Sequence, residues 1–207
     1  MASRTQIVCL HEGKKGRSID PLFIRALIRR LDPAWIRPWP GNNVIRTVDC
    51  GGRSTLIASM AKELKAADEA GGNTTLMVWA DVDDNLESPE ELKASFWAAA
   101  QTAGIPADQF GRVVFAFAKD RLENWVEFLN SGATDESKEG PRVKDPEAVE
   151  AARNLADLCL KGAPIPNIPP SLEGPAAIGG RWWSECVEAL ILHHAGPNHR
   201  TRLRGLQ

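Results

Sequence analysis

The chain has 207 residues, with 25 basic and 27 acidic side chains and a formal net charge of -2 at pH 7. This length is enough for one domain with its own hydrophobic core, or for one domain with a helical extension. The near-neutral charge excludes a global electrostatic signature of nucleic-acid binding, so any such binding must depend on a local patch.

The sequence carries no signal for membrane insertion or secretion. No stretch approaches the roughly 20 apolar residues that span a bilayer, and the N-terminus has no apolar segment long enough for a signal peptide. The four cysteines are scattered singly, without the paired spacing of a zinc site or a redox dithiol. We therefore expect a cytoplasmic protein with reduced thiols.

Four short runs rich in β-branched and large apolar residues recur in the first part of the chain. They cover residues 6–10, 44–48, 75–79 and 113–117. Nearly continuous apolarity of this length predicts strands that are buried on both faces.

Apolar stripes with helical spacing lie between and after these runs. The stripes are Ile24, Leu27, Ile28 and Leu31; Ile57, Met60, Ala61 and Leu64; Leu92, Phe96, Ala99 and Ala103; and Leu122, Trp125, Val126 and Leu129. Ser88 and Pro89 are typical of a cap residue and a first-turn proline at the start of the third helix. Strand and helix alternate throughout, which predicts an α/β fold with a mainly parallel sheet of about four strands flanked by helices.

The character of the sequence changes near residue 130. Residues 131–141 are small, polar and charged, which predicts a mobile loop or linker. A helix is predicted from Pro146 to about Lys161, capped by Asp145, and a last helix from about Trp182 to His193. We therefore predict one domain at residues 1–130, followed by a linker and a small helical appendage at residues 131–207.

Acidic residues stand where two of the predicted strands end. Glu12 follows the first strand, and Gly13 permits a sharp turn after it. The third strand runs into Asp81 and Asp83, which alternation aims at the same side if the strand persists. Carboxyl ends of parallel strands share one edge of the sheet, and clustered carboxylates there suit Mg²⁺ or Mn²⁺. The alternative for the aspartates is a turn and helix-cap cluster.

Two further turns have more than one interpretation. Asp120 and Glu123 have the spacing of a capping box at the start of a helix, although Glu123 also follows the fourth strand. Gly51, Gly52 and Arg53 follow the second strand, where backbone amides at a helix N-terminus could face a phosphate. A glycine pair also serves any tight turn, and no Walker A sequence is present.

The order of these motifs resembles the Toprim domain, in particular the Toprim modules of the overcoming-lysogenization-defect nucleases and related small Toprim proteins. The matching elements are a strand followed by Glu-Gly, a strand with a Gly-Gly-basic turn, a strand ending in Asp-x-Asp, and a strand leading to Leu-Glu before an apolar helix. The resemblance covers roughly residues 5–130.

The resemblance implies a Mg²⁺- or Mn²⁺-dependent nuclease that hydrolyses phosphodiester bonds of DNA or RNA. It also implies a role in defence against phage, with a separate ATPase subunit as a partner, and leaves homo-oligomer formation open. A topoisomerase-type cleavage would need a nucleophilic tyrosine, and the chain contains none. The alternatives are a non-catalytic Toprim-like module that binds a metal, a nucleotide or a protein partner, and a receiver-type phosphotransfer domain, which the Glu-Gly turn fits poorly.

The resemblance also assigns roles to individual residues. It implies Glu12 as a metal ligand or general acid/base, and Asp81, Asp83 and Glu123 as metal ligands. Gly51, Gly52 and Arg53 match its phosphate-facing turn, with Arg53 where a lysine is more usual; an arginine can hold a phosphate bidentately. Many relatives have a second acid soon after Glu-Gly. Here Asp20 comes later and also fits an ordinary helix start, so it stays outside the predicted site.

Overall fold

The sheet of this protein is parallel throughout and has four strands. The computed structural model describes residues 6–14, 16–31, 45–69, 74–82, 88–161 and 166–172. The strands are β1 Gln6–His11, β2 Ile45–Asp49, β3 Thr74–Val82 and β4 Val114–Lys119. They lie in the order β2-β1-β3-β4, and each neighbouring pair is parallel. The predicted α/β fold with a parallel sheet is therefore confirmed.

Helices cover both faces of the sheet. They are α1 Asp20–Leu31, α2 Arg53–Glu69, α3 Pro89–Thr102, the short α4 Ala107–Phe110, α5 Leu122–Ser131 and α6 Asp145–Lys161. The predicted start of α3 is confirmed, because the Ser88 side chain accepts a hydrogen bond from the Glu91 amide and Glu91 reaches back to the Ser88 amide. The helix predicted near Trp182 to His193 lies outside the described residues. None of the described helices is long and apolar enough to cross a membrane.

The core has one apolar layer on each face of the sheet. On one face, Cys9, Met77 and Trp79 pack with side chains of α1, α5 and α6. On the other, Leu10, Val78 and Ala80 pack with α2 and α3. In the first layer the Trp79 ring meets Phe23 and Trp125 edge to face, with ring centroids 6.2 and 6.5 Å apart. Strands buried on both sides explain why their sequences are apolar almost without interruption.

The region after residue 130 contributes to the first of these layers. Ala148, Ala151 and Leu155 on α6 are fully buried in the same cluster as Trp125. Residues 131–141 were predicted to form a mobile linker, but Glu136 within them is only 7% exposed and accepts hydrogen bonds from Ser171. The polar composition of the segment hides this contact, because its partner lies 35 residues away. The division of the chain at residue 130 stays a prediction.

Candidate metal centre

The topology creates a crevice at the carboxyl edge of the sheet, between β1 and β3. β1 leads through α1 to β2 on one side, whereas β3 leads to β4 on the other. Loops that leave neighbouring strands in opposite directions form the usual ligand site of such sheets. Glu12 directly follows β1, and Asp81 is the second-to-last residue of β3, which ends at Val82. A small cleft at this position is lined by both residues.

Three carboxylates line this cleft, those of Glu12, Asp20 and Asp81, and the charge of a fourth, Glu123, acts on Asp81. Burial raises the pKa of Asp81 well above its usual value, and the negative charges of Asp20, Glu12 and Glu123 raise it further, while Arg53 opposes them. Burial also raises the pKa of Glu123, with a contribution from Asp20. Glu12, Asp81 and Glu123 are thus close enough for their charges to interact, and their role as metal ligands stays a prediction. Asp20, which the sequence left outside the site, begins α1 and lines the same cleft.

The capping-box interpretation of Asp120 and Glu123 is wrong. α5 begins at Leu122, and its cap residue is Arg121, which forms no side-chain cap hydrogen bond. Asp120 instead occupies a tight turn with φ 60°, closed by a 2.8 Å hydrogen bond from the Arg121 amide to the Lys119 carbonyl. A turn of this kind is rare and strained for a residue with a side chain. α5 begins directly after this turn, and its first residue, Leu122, lines the cleft.

Arg53 connects the two strand ends that border the crevice. Its Nε donates to a Glu12 carboxylate oxygen, and its Nη2 donates to the backbone carbonyl of Asp81. Arg53 is the first residue of α2 and directly follows Gly51 at φ 73° and Gly52 at φ 148°. Only glycine adopts both conformations without strain, so the glycine pair is needed for the turn itself. Phosphate binding by this turn stays a prediction.

The donor set suits a hard divalent cation, although the cluster is not assembled as a coordination shell. Asp83 lies outside the described residues. Among those that are described, no three histidine, cysteine, aspartate or glutamate side chains are arranged to hold a metal ion. The chemistry nevertheless fits, because carboxylate oxygens are the preferred ligands of Mg²⁺ and Mn²⁺ and the charge of Asp81 is poorly compensated.

His11 is a further polar residue at this edge. It ends β1 directly after the apolar residues 7–10 and is completely buried. It contacts Asp20 through Nδ1 and Asp49 through Nε2, at 3.1 and 3.2 Å. A histidine inside an otherwise apolar strand indicates a polar partner, but the partners could not be named from the sequence.

Comparisons with known proteins add no family to this geometry. No protein-family model and no curated protein matches the chain. The Toprim resemblance therefore depends on the motifs quoted above.

Proposed function

We propose that this protein is a metal-dependent nuclease that hydrolyses phosphodiester bonds of DNA or RNA with Mg²⁺ or Mn²⁺ as cofactor. The observation that carries the proposal is the environment of Asp81. Its half-buried carboxylate lies at the switch point of a parallel sheet and lines a cleft with Glu12 and Asp20, and the negative charge of Glu123 also acts on it. Grouping negative charges in this way is costly unless a cation joins them.

The residues of the crevice have complementary roles in this proposal. Asp81, Asp20 and Glu123 would hold the cation, together with Glu12, which pairs with Arg53 in this structure. A divalent ion bound there would polarise the scissile phosphate and favour ionisation of the attacking water. Arg53 is placed beside the strand ends, where its planar fork can hold a phosphate oxygen pair. The side chains position the phosphate and supply charge; none of them needs to become a covalent nucleophile.

The wider role that we propose depends on the Toprim resemblance alone. We extend the proposal to a cytoplasmic protein that acts in defence against phage together with a separate ATPase subunit. Co-purification of the full chain with an ATPase from its own cell would support this extension. Its failure would leave the proposed chemistry untouched.

A non-catalytic module is the second candidate, and one observation favours it. Arg53 already neutralises Glu12 and bridges to the Asp81 backbone, so a cation of the chain itself occupies one side of the crevice. In a regulatory module this pair would remain in place, and the acids would bind a metal without cutting a substrate.

A cleavage assay separates the two candidates. The full chain is incubated with supercoiled plasmid, single-stranded DNA and RNA, each with Mg²⁺, Mn²⁺ or a chelator. We expect metal-dependent cleavage that disappears in Asp81→Asn and persists in Asp108→Asn. Asp108 is a matched control because it is exposed on α4 and pairs with Arg112 one turn later. Cleavage that survives Asp81→Asn would refute the proposed site, whereas Mn²⁺ binding without cleavage of any substrate would support the non-catalytic module.

A further inference from the structure

A completely buried histidine lies directly beside the acid cluster and connects two elements of the carboxyl edge. His11 ends β1 and is 0% exposed. Its Nδ1 donates a hydrogen bond to Oδ2 of Asp20, with 3.1 Å between the atoms. On the opposite side of the ring, Nε2 lies 3.2 Å from Oδ1 of Asp49 but is not aligned as a hydrogen bond. The contact with Asp20 is therefore the better defined of the two.

The backbone around His11 fixes the ring in this position. The parallel register of β1 and β2 sets His11 beside Asp49, and the Cys50 amide donates to the His11 carbonyl at 2.9 Å. The ring therefore cannot shift along the sheet without breaking strand pairing. A buried ring held in this way is a rigid support for whatever it contacts.

Space for the Asp20 carboxylate is provided by a glycine. A Cβ atom at position 13 would lie 2.9 Å from Oδ2 of Asp20 and 2.3 Å from Oγ of Ser18. Ser18 in turn accepts a hydrogen bond from the Asp20 amide at 3.1 Å. Gly13 thus has a second use besides the turn, because any side chain there would push Asp20 away from the ring.

Asp20 needs such a support because its neighbours repel it. Its charge acts on both Asp81 and Glu123, and its side chain is partly exposed, so an untethered carboxylate would turn towards water. A hydrogen bond from His11 to one oxygen holds the group in the crevice and leaves the other oxygen for a ligand. Partners of this kind, which bind a metal-ligating side chain from behind, typically change metal affinity by about 10- to 100-fold when they are removed.

We infer that His11 is a positioning residue that holds the Asp20 carboxylate in the crevice, oriented towards a divalent cation shared with Asp81. The inference depends on the proposed function, since it assigns the cation to the same cleft. His11 touches neither the cation nor the substrate. It affects cation binding only through the position of Asp20.

Two substitutions of His11 separate its two contacts. An asparagine amide reaches the position of Nδ1, whereas a glutamine amide reaches that of Nε2. His11→Asn therefore keeps a donor for Asp20, and His11→Gln keeps one for Asp49 only. We expect Mn²⁺ affinity, measured by electron paramagnetic resonance on the full chain, to stay near wild type in His11→Asn and to fall about 10-fold in His11→Gln. The result that overturns the inference is equal Mn²⁺ affinity in both variants.

Further variants exclude a purely structural role. Asp20→Asn should lower Mn²⁺ affinity about as much as His11→Gln, and the double variant should lose little more, because both changes break one interaction. Asp49→Asn, which alters only the other contact of the ring, should leave Mn²⁺ affinity unchanged. Losses that simply add, or a loss in Asp49→Asn, would contradict the inference. Thermal unfolding of every variant shows whether each one is folded under the conditions of the titration.

A metal-free measurement distinguishes failure of this inference from failure of the proposed function. In long-range ¹H–¹⁵N spectra of the metal-free protein, the His11 Nδ1 resonance should move in Asp20→Asn and much less in Asp49→Asn. If the wild type binds no Mn²⁺ but this pattern is found, the proposed metal centre is refuted while the tether between His11 and Asp20 stands. An Nδ1 resonance that ignores Asp20→Asn refutes the tether itself.

Discussion

Glu136 is buried and Asp81 is half-buried, and the chain compensates the two carboxylates very differently. Glu136 accepts hydrogen bonds from the amide and hydroxyl of Ser171, and the same hydroxyl accepts one from Trp125 Nε1 at 2.6 Å. Asp81 instead experiences the negative charges of Asp20, Glu12 and Glu123, and within the described ranges no group donates a hydrogen bond to its side chain. One carboxylate is satisfied by the fold, and the other is left with excess negative charge around it.

If the proposed function is correct, Glu136 serves the fold and Asp81 serves a ligand. A buried charge with good donors stabilises the structure that supplies them, whereas one without donors destabilises it until an outside partner binds. Glu136 ties residues 166–172 to the turn after α5, so we interpret it as structural. Asp81 lies at the switch point of the sheet, where ligands bind in folds of this kind. The following substitutions test this comparison, beginning with the largest expected effect.

Replacing Glu136 should destabilise the fold strongly without affecting metal binding. In Glu136→Ala the Ser171 amide and hydroxyl lose a charged acceptor in a buried position, which we expect to lower the free energy of unfolding by about 3 kcal/mol. Urea denaturation measures this change. The control is Glu150→Ala, which removes an exposed glutamate from α6 and should have little effect. A loss as small as that of the control would mean that Glu136 is not structural.

Removing only the hydroxyl of Ser171 should have a smaller effect of the same sign. Ser171→Ala leaves the amide donor to Glu136 intact but deprives Trp125 Nε1 of its acceptor and Glu136 of one donor. We expect a loss of about 2 kcal/mol in the same denaturation experiment. Combined with Glu136→Ala, the two losses should not add, because they break one network. Fully additive losses would show that the two residues act independently.

Asp81→Asn should have the opposite sign and raise stability in the absence of divalent cations. The pKa of Asp81 is raised in the folded protein, so folding favours the protonated carboxyl. The contribution of Asp81 to stability is therefore present below its unfolded pKa of about 3.9 and is lost as the pH rises through the folded value. At neutral pH the variant, which cannot ionise there, should be more stable than wild type by on the order of 1 kcal/mol.

The pH dependence of this difference is the sharper measurement. The stability of Asp81→Asn relative to wild type should grow as the pH rises from about 4 and then level off. Added Mn²⁺ should reduce the difference at neutral pH, because the ion binds the wild type and stabilises it. Asp108→Asn should show neither effect, since Asp108 is exposed. A variant that is less stable than wild type at every pH would mean that unseen donors satisfy Asp81.

Local sequence patterns predicted the strands and most helices but not the contacts between distant segments. The strands and most helices followed from local apolar periodicity, and the cap residue of α3 followed from Ser88 and Pro89. The capping-box spacing of Asp120 and Glu123 predicted the wrong cap, because the φ of 60° at Asp120 leaves no trace in local sequence. The contacts of Glu136 with Ser171 and of His11 with Asp49 join distant segments, so their existence depended on tertiary packing.

The candidate site was predictable in part for the same reason. Glu12 directly follows β1 and Asp81 lies near the end of β3, and parallel topology alone brings the ends of neighbouring strands together. The sequence around Asp20 predicts an ordinary acid in the first turn of a helix. Asp20 does begin α1, and it also lines the cleft. No local pattern distinguishes these two situations. The position of Arg53 was predicted, but not its pairing with Glu12, which depends on how α2 leaves the glycine turn.

The smallest expected effect concerns the pair of Arg53 and Glu12. Arg53 supplies a positive charge beside the carboxylates that a bound cation would otherwise supply. Arg53→Gln frees Glu12 from the guanidinium, and we expect Mn²⁺ to bind about threefold more tightly at low ionic strength, as the pair is only partly buried. Arg46→Gln is the matched control, because it also removes one positive charge from an arginine–glutamate pair, with Glu63 on α2. If Arg53 also holds the phosphate of the substrate, Arg53→Gln should lower the cleavage rate while it raises Mn²⁺ affinity. A general change in net charge would not move these two quantities in opposite directions. Weaker Mn²⁺ binding in Arg53→Gln would instead mean that the guanidinium keeps the carboxylates together, in which case the excess negative charge around Asp81 would be a structural feature and not a cation site.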